Sequence, residues 1–340
     1  MAGIESYGVA LPDLRLPASA YVEAWGSCGA RGMKRKAVCT YDEDAVTLAI
    51  EASRRALRRL RGEVRIDGLF FGVTTPPYDE KPSAATLATA LFADTDLRVT
   101  EISGSPQAGM QALLCALEYC AANPGSRALA VAGDAPTAPP DAPYEHALGA
   151  GAAAFVVGDD STGDAGVAEL AAHYAVTRET FGSRFRRHGA ATLSDLELRT
   201  RDQQASLAAL AKAADAAHLT GAKHIALGAD AGVMRGAARA LGNSKANVDG
   251  LWSEIGDAGA ASAMLALAGA LDRARAGETV FAAAIGAGAT AAVFTIGKGL
   301  APLRRRGEKL DKLIARGTTI DYVSYLKHRR MLSSRTGGTG

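Results

Sequence analysis

EISGSPQAGMQALLCALEYCAANPGSRALAVAGD, from Glu101 to Asp134, is echoed by EIGDAGAASAMLALAGALDRARAGETVFAAAIGAG, from Glu254 to Gly288. Glu101-Ile102 stands 153 positions before Glu254-Ile255, and Gly133 stands 153 before Gly286. Each unit reads as a short entering strand, a helix of small residues, a breaker and an apolar strand leaving. GAGAAAFVVG from Gly149 and GAGATAAVFTIG from Gly286 each add a turn and one more strand. Apolar runs bounded by turn residues predict strands buried on both faces. Strands alternating with helices predict parallel pairing through right-handed crossovers. Order and offset hold across several elements, so the chain reads as two duplicated α/β halves.

The loop composition GDDSTGDAG, Gly158 to Gly166, places the boundary between them. The expected division is 1–165, 166–300, and a basic C-terminal extension at 301–340. In the first half, Asp42 is the expected cap of a helix from Glu43 to about Leu60, with Arg54, Arg55, Arg58 and Arg59 in its last turns, as the helix dipole prefers. A strand at Gly68–Val73 follows. In the second half the pattern predicts a helix at Leu207–Ala217, a strand at His224–Gly228 and a short helix at Val233–Leu241. Beyond Leu300 the tail RRRGEKLDKLIARGTTIDYVSYLKHRRML ends in SSRTGGTG, read as frayed. Its Arg304-Arg305-Arg306 cluster reads as solvated, or as a contact for nucleotide phosphates or an acidic partner face.

Of the 340 residues, 48% are apolar and 22% charged, enough for a sizeable core and unlike a disordered chain. Lysine and arginine total 38 against 36 acids, a net charge of +2, which gives no global field for nucleic acid. No apolar run approaches the roughly 20 residues of a membrane span. MAGIESYGVALPDLR has no basic leader and apolar core, so a cytoplasmic location is expected. Cys28, Cys39, Cys115 and Cys120 show no CxxC spacing, and no metal site is expected. Cys115 and Cys120 stand roughly 140° apart on a helix and read as core thiols. The two GAGA turns run into strands and are not dinucleotide fingerprints.

GIESYGVALPDLRL, YDEDAVTLAIEASRRAL, PPYDEKPSAATLA, QAGMQALL, GAAAFVVGD, Arg187-His188-Gly189, Glu254-Ile255-Gly256 and the terminal YVSYLKHRR together resemble the prokaryotic, especially archaeal, 3-hydroxy-3-methylglutaryl-CoA synthases. The resemblance spans nearly the whole chain in order. It implies the thiolase fold, a five-layer αβαβα sandwich of two duplicated halves, usually dimeric. It also implies a cysteine, acylated by acetyl-CoA, at the N-terminus of the buried central helix. Counting back from Ala108-Gly109 gives Ser103 for that position, with Ser105 as the cap of a helix starting at Pro106. A dipole and a histidine can bring a thiol from about 8.5 to a working thiolate. A serine hydroxyl needs a positioned base.

The family's histidine position falls on Leu227 or Gly228, and its catalytic glutamate position on Thr74. Its Asn-Thr-like segment is replaced by Asp257-Ala258-Gly259, where Asp257 reads as the cap of a helix beginning at Ala258. Losing one general base costs about 10²–10⁴ in rate. His224, at the strand's other end, reads as structural or exposed. These replacements imply a non-catalytic subunit of an acyl-CoA condensing or acyl-transferring complex. Its expected partners are a thiolase-like chain and a small zinc-ribbon OB-fold protein, as a homo- or hetero-oligomer. CoA or acyl-CoA is the candidate ligand, with nothing bound covalently. The alternative is an acyltransferase or condensing synthase working through Ser103, with His146, His173 or His188 as base. Arg187-His188-Gly189 reads equally as a polar site motif or a solvated loop. Ala108, Gly109, Ala112 and Ala116 on the central helix predict a close interface with a partner.

Overall fold

Strand β1 (Gly3–Ala10) is followed by β2 (Leu14–Pro17) and β3 (Arg35–Val38), which leave to form a small separate sheet. The first half continues with β4 (Gly68–Gly72), β5 (Arg98–Ile102), β6 (Arg127–Asp134) and β7 (Gly151–Gly158). The second supplies β8 (Ala168–Thr177), β9 (His224–Gly228), β10 (Asn247–Asp249), β11 (Thr279–Gly286) and β12 (Gly288–Ile296). This computed structural model describes residues 2–159, 166–179, 184–195, 199–217, 221–228, 237, 241–242, 247–249 and 251–332.

The order is β5-β4-β6-β7-β1 in one half and β10-β9-β11-β12-β8 in the other. In chain order within each half, that is third, second, fourth, fifth, first, twice over. The parallel and antiparallel pairs match as well: β4 lies parallel to β5 and β6, and β9 parallel to β10 and β11. The halves join edge to edge where β1 meets β8, Gly3 and Ile4 facing Glu169 and Ala168. The duplication read from sequence is therefore present in the topology.

Five layers follow from which face of each strand is large. The helices α1 (Ala18–Trp25), α2 (Ala45–Arg58), α3 (Ser83–Leu91), α4 (Ala108–Ala122) and α5 (Arg199–Ala216) precede a further helix at Ser262–Arg273. On β6, Leu129 and Val131 point to the outer core with α2 and α3, while Ala128, Ala130 and Ala132 point inward. On β11, Phe281, Ala283 and Ile285 face α5, and Val280, Ala282 and Ala284 face the centre. A period of two puts small residues on the inward side of β6 and much of β11, which makes room for α4 and the Ser262–Arg273 helix between the sheets. This is the expected thiolase-like sandwich.

Several local expectations need correction. The cap of α2 is Asp44, not Asp42: its Oδ1 accepts from Val46 and Thr47 N–H at 2.9 and 2.8 Å, and Thr47 answers with its hydroxyl at 2.8 Å. Asp42 instead accepts from the Thr40 hydroxyl. The second EI pair is not a strand. Trp252–Ile255 is one helical turn, and the strand equivalent to β5 lies upstream at Asn247–Asp249. Helix α4 becomes regular at Ala108, two residues after Pro106.

Ala108, Gly109, Ala112 and Ala116 are fully buried against their own chain rather than offered to a partner. A Cβ at Gly109 would lie 2.1 Å from Ala260 O, so the small residues let the two halves touch. The basic extension is not a solvated tail as far as Leu332. It forms helices at Leu300–Arg304, Leu310–Ala315 and Tyr322–His328, and β13 (Thr318–Thr319) pairs with β2. Arg304 donates to the Asp272 and Ala274 carbonyls, and Arg306 to Arg59 O. The Val233–Leu241 helix (but for residues 237 and 241) and SSRTGGTG lie outside the described residues. Among those described, no helix is long and apolar enough to cross a membrane.

Candidate functional site

A cavity of about 200 Å³ opens where the N-terminus of α4 meets the second half. The loop ahead of α4 contributes Gly104, Ser105 and Pro106 to its floor. Gly228 closes the end of β9, and Gly286 the end of β11. Both glycines are required by close approach: a Cβ at Gly286 would stand 2.3 Å from Ser105 Oγ, and one at Gly228 2.5 Å from Ala263 N. The turn carrying Tyr144, Ala147 and Leu148 lines it beside Leu193, and Arg184, Ser194 and Asp195 line it further.

Two carboxylates organise the floor. Asp257, lining the cavity, accepts from Gly259 N–H at 2.9 Å and the Ser262 hydroxyl at 3.1 Å, and pairs with Arg184. The helical turn begins at Gly259, not at Ala258, and Ala258 stands at its cap position; Asp257, one residue earlier, takes the turn's first N–H. Asp134 is fully buried at the end of β6. It accepts from Thr74 N–H and hydroxyl, from the Thr75 hydroxyl, and from Ala260 N–H at 2.9 Å. It ties the first half's strand ends to the second half's central turn. Gly259 lies between the charged groups; a Cβ there would sit 2.2 Å from Asp134 Oδ2 and 3.1 Å from Arg184 Nη2.

Among the described lining residues there is neither a cysteine nor a histidine. Ser103 is exposed and does not line the cavity; Ser105 does, and its Oγ accepts from Gln107 N–H at 3.3 Å. Of the histidine alternatives, Gly228 lines the cavity and Leu227 lies in the outer core of the second half. Thr74 is taken up by Asp134. His146 is buried behind the wall, and His173 and His188 are exposed. Arg187-His188-Gly189 is an exposed turn outside the lining. His224 is buried and paired with Glu278 at 3.1 Å, a structural role. Burial raises the thiols of Cys115 and Cys120 above their ordinary range, as suits core positions. No metal-binding group of histidines, cysteines and acids occurs among the described residues.

No family-level sequence profile matches the chain. Individual relatives do. The hydroxymethylglutaryl-CoA synthase of Pyrococcus horikoshii is 30% identical over 353 residues, covering 96% of both proteins. That of Archaeoglobus fulgidus is 30% identical, covering 98% of this chain and all of its own length. The chain belongs to the hydroxymethylglutaryl-CoA synthase family. Solved structures agree on the fold. The synthase MvaS in complex with 3-hydroxy-3-methylglutaryl coenzyme A superposes with a TM-score of 0.83 at 22% identity, over 98% of this chain and 92% of that one. An HMG-CoA synthase complexed with CoA gives 0.80 at 20% identity, over 96% and 90%.

For a synthase-family chain, the cavity's polar equipment differs from the sequence expectation. Sequence reasoning missed Asp134, Arg184 and Tyr144, and read Ser105 only as a helix cap. One signal for Asp134 was present: the repeat breaks there, Gly133-Asp134 standing against Gly286-Ala287. Arg184, held at φ 48°, had none, because only the fold brings it to Asp257.

Proposed function

We propose that this chain is an acyl-CoA-binding but non-catalytic subunit of a condensing or acyl-transferring assembly, supporting an active thiolase-like partner. The observation that carries this is the cavity: it stands at the head of α4, and its described lining offers neither thiol nor imidazole. A serine without a positioned base is a poor acyl acceptor. Asp257 does not supply that base, since its oxygens are engaged by Arg184, Gly259 and Ser262. The relatives' name and the CoA and HMG-CoA complexes of the neighbours support CoA or an acyl-CoA as the ligand. A thiolase-like subunit with an intact cysteine, joined by a small zinc-ribbon OB-fold protein, would supply the chemistry in the cytoplasm.

Intact-mass spectrometry after incubation with acetyl-CoA tests the reading. The purified chain should bind CoA by calorimetry and carry no acetyl adduct. Co-expressed with a thiolase-like chain, it should co-elute by size exclusion with light scattering. An adduct lost in Ser103→Ala would replace this reading with an acyltransferase or condensing synthase acting through Ser103.

A further inference from the structure

The cavity wall at Tyr144, Ala147 and Leu148 is not part of the large sheet. It surrounds a single 3-10 turn, Glu145–Ala147, and a buried cluster behind it provides the grip. Lys36 on β3 and Glu145 have side chains only 1% and 0% exposed. Lys36 Nζ donates to the Glu145 carbonyl at 2.8 Å and to its carboxylate at 2.9 Å, so one ammonium holds both backbone and side chain. Tyr21, from α1, donates to the same carboxylate oxygen at 2.6 Å. The rings of Tyr325 and Tyr21 cover the ammonium at 4.4 and 5.2 Å. Tyr325 lies on the Tyr322–His328 helix, whose Tyr322 packs on both Tyr21 and Tyr325. On the cavity side, Tyr144 donates to Leu193 O at 3.0 Å, which joins the turn to the neighbouring lining residues 193–195.

We propose that the C-terminal helix, acting through Tyr325, Lys36 and Glu145, fixes this wall and sets how tightly the cavity holds acyl-CoA. The ligand named rests on the function proposed above; the mechanical link does not. These are positioning residues, since none of the three lines the cavity. Ring faces and a carboxylate return part of what a desolvated ammonium loses from water, so removing one of them leaves the buried charge still less compensated. Burial pushes the Lys36 ammonium down to about 8 against the upward pull of Glu145, which shows how far its charge depends on these neighbours.

The test compares Tyr325→Ala with Tyr325→Phe, which keeps the ring over Lys36. Amide hydrogen exchange, CoA affinity and thermal stability are measured on the full chain. In Tyr325→Ala, exchange at residues 144–148 should accelerate while β11 and β12 stay protected, and the CoA Kd should rise about tenfold. Tyr325→Phe should restore both. The double variant Lys36→Met/Glu145→Gln guards against a misfolded alanine variant and should reproduce the two effects. Faster exchange everywhere, or local loosening with unchanged Kd, overturns the proposal. If the wild type binds no CoA, the acyl-CoA reading fails by itself. Exchange then decides the link: unchanged protection at 144–148 in Tyr325→Ala overturns it.

Discussion

Helix α4 follows a loop whose Gly104, Ser105 and Pro106 line the cavity, and it carries no acid in its first turn. Its counterpart in the second half, the Ser262–Arg273 helix, starts beneath two carboxylates. Asp134 takes the Ala260 N–H, and Asp257 takes the Gly259 N–H and the Ser262 hydroxyl. Both helices sit in the same layer of a duplicated fold and both present a positive end. Both ends line the same cavity, but one is met by carboxylates of its own chain and the other is not. Duplication therefore produces two similar helix termini at one site, and Asp134 and Asp257 make them electrostatically unlike.

The contact that lets the two helices share a layer gives the largest expected effect. A side chain at Gly109 would drive a Cβ into Ala260 O at 2.1 Å and crowd Ala132 Cβ at 2.8 Å. Gly109→Leu should cost more than about 3 kcal/mol, beyond ordinary overpacking, because the obstacle is backbone. Thermal melting should show an unfolded or insoluble chain rather than a folded monomer released from a partner. A soluble variant with wild-type melting would mean that the halves do not meet there.

Asp134→Ala comes next. It would leave the Thr74 and Thr75 hydroxyls and the Ala260 N–H facing a buried void. Each buried unsatisfied group costs about 1–3 kcal/mol, so a loss of about 3 kcal/mol is expected by denaturant unfolding. Asp134→Asn keeps the shape and part of the bonding, and should recover roughly half of that loss. Equal damage from both would show that charge at the helix end, rather than hydrogen bonding, is the controlling term.

The architecture was legible in sequence because its signals are long and repeated. β6 and β11 are apolar runs buried on both faces, and the offset of 153 tied them together before any pairing was known. Shorter signals misled. The second EI pair copies the first in letters, but Gly256, at φ 78°, ends a helical turn there instead of a strand. In the cluster at Arg304–Arg306, Arg305 and Arg306 are exposed as their charge suggested, but the carbonyls that Arg304 and Arg306 bind lie 30 or more residues away in sequence and were not legible. For the site, the head of α4 was found; Ser103 there is exposed outside the cavity lining, while Ser105, read as a helix cap, lies in it. Which residue of such a loop faces a cavity is set by the local turn, which sequence patterns do not fix. Arg184 and the Lys36–Glu145 pair arise only from tertiary approach.

A smaller effect comes from making the two helix ends alike. Ser105→Asp would give α4 the internal carboxylate that its counterpart has. Stability should rise by about 0.3–1 kcal/mol, the usual worth of a negative charge at a positive helix end, since Ser105 already accepts from Gln107 N–H. CoA binding, measured by calorimetry, should fall together with that gain, because the carboxylate competes for the same N–H groups. Greater stability with undiminished binding would show that the ligand does not use the head of α4.

The smallest effect distinguishes the two glutamates that open the repeat. Glu101 accepts from Ala84 N–H at 2.9 Å, whereas Glu254 holds Lys34 and Arg35, each at 3.0 Å. Burial alone would raise the Glu254 carboxyl, but the hydrogen bonds and charges of Lys34 and Arg35 outweigh it and hold the group below its ordinary 4.5. With the folded value depressed, the unfolded chain takes up the proton first as the solution is acidified. The stabilisation is thus complete above the unfolded value and disappears as pH falls through the folded one. Lys34 is largely exposed, so the pairs together are worth about 1 kcal/mol or less. Glu254→Gln should melt slightly below wild type near pH 7, by a margin that shrinks in added salt. The margin should close as the pH falls through the folded value, where wild-type Glu254 is itself protonated. A gap that persists in acid would assign the loss to packing of the side chain, and the second glutamate of the repeat would then act, like the first, through local geometry rather than through charge.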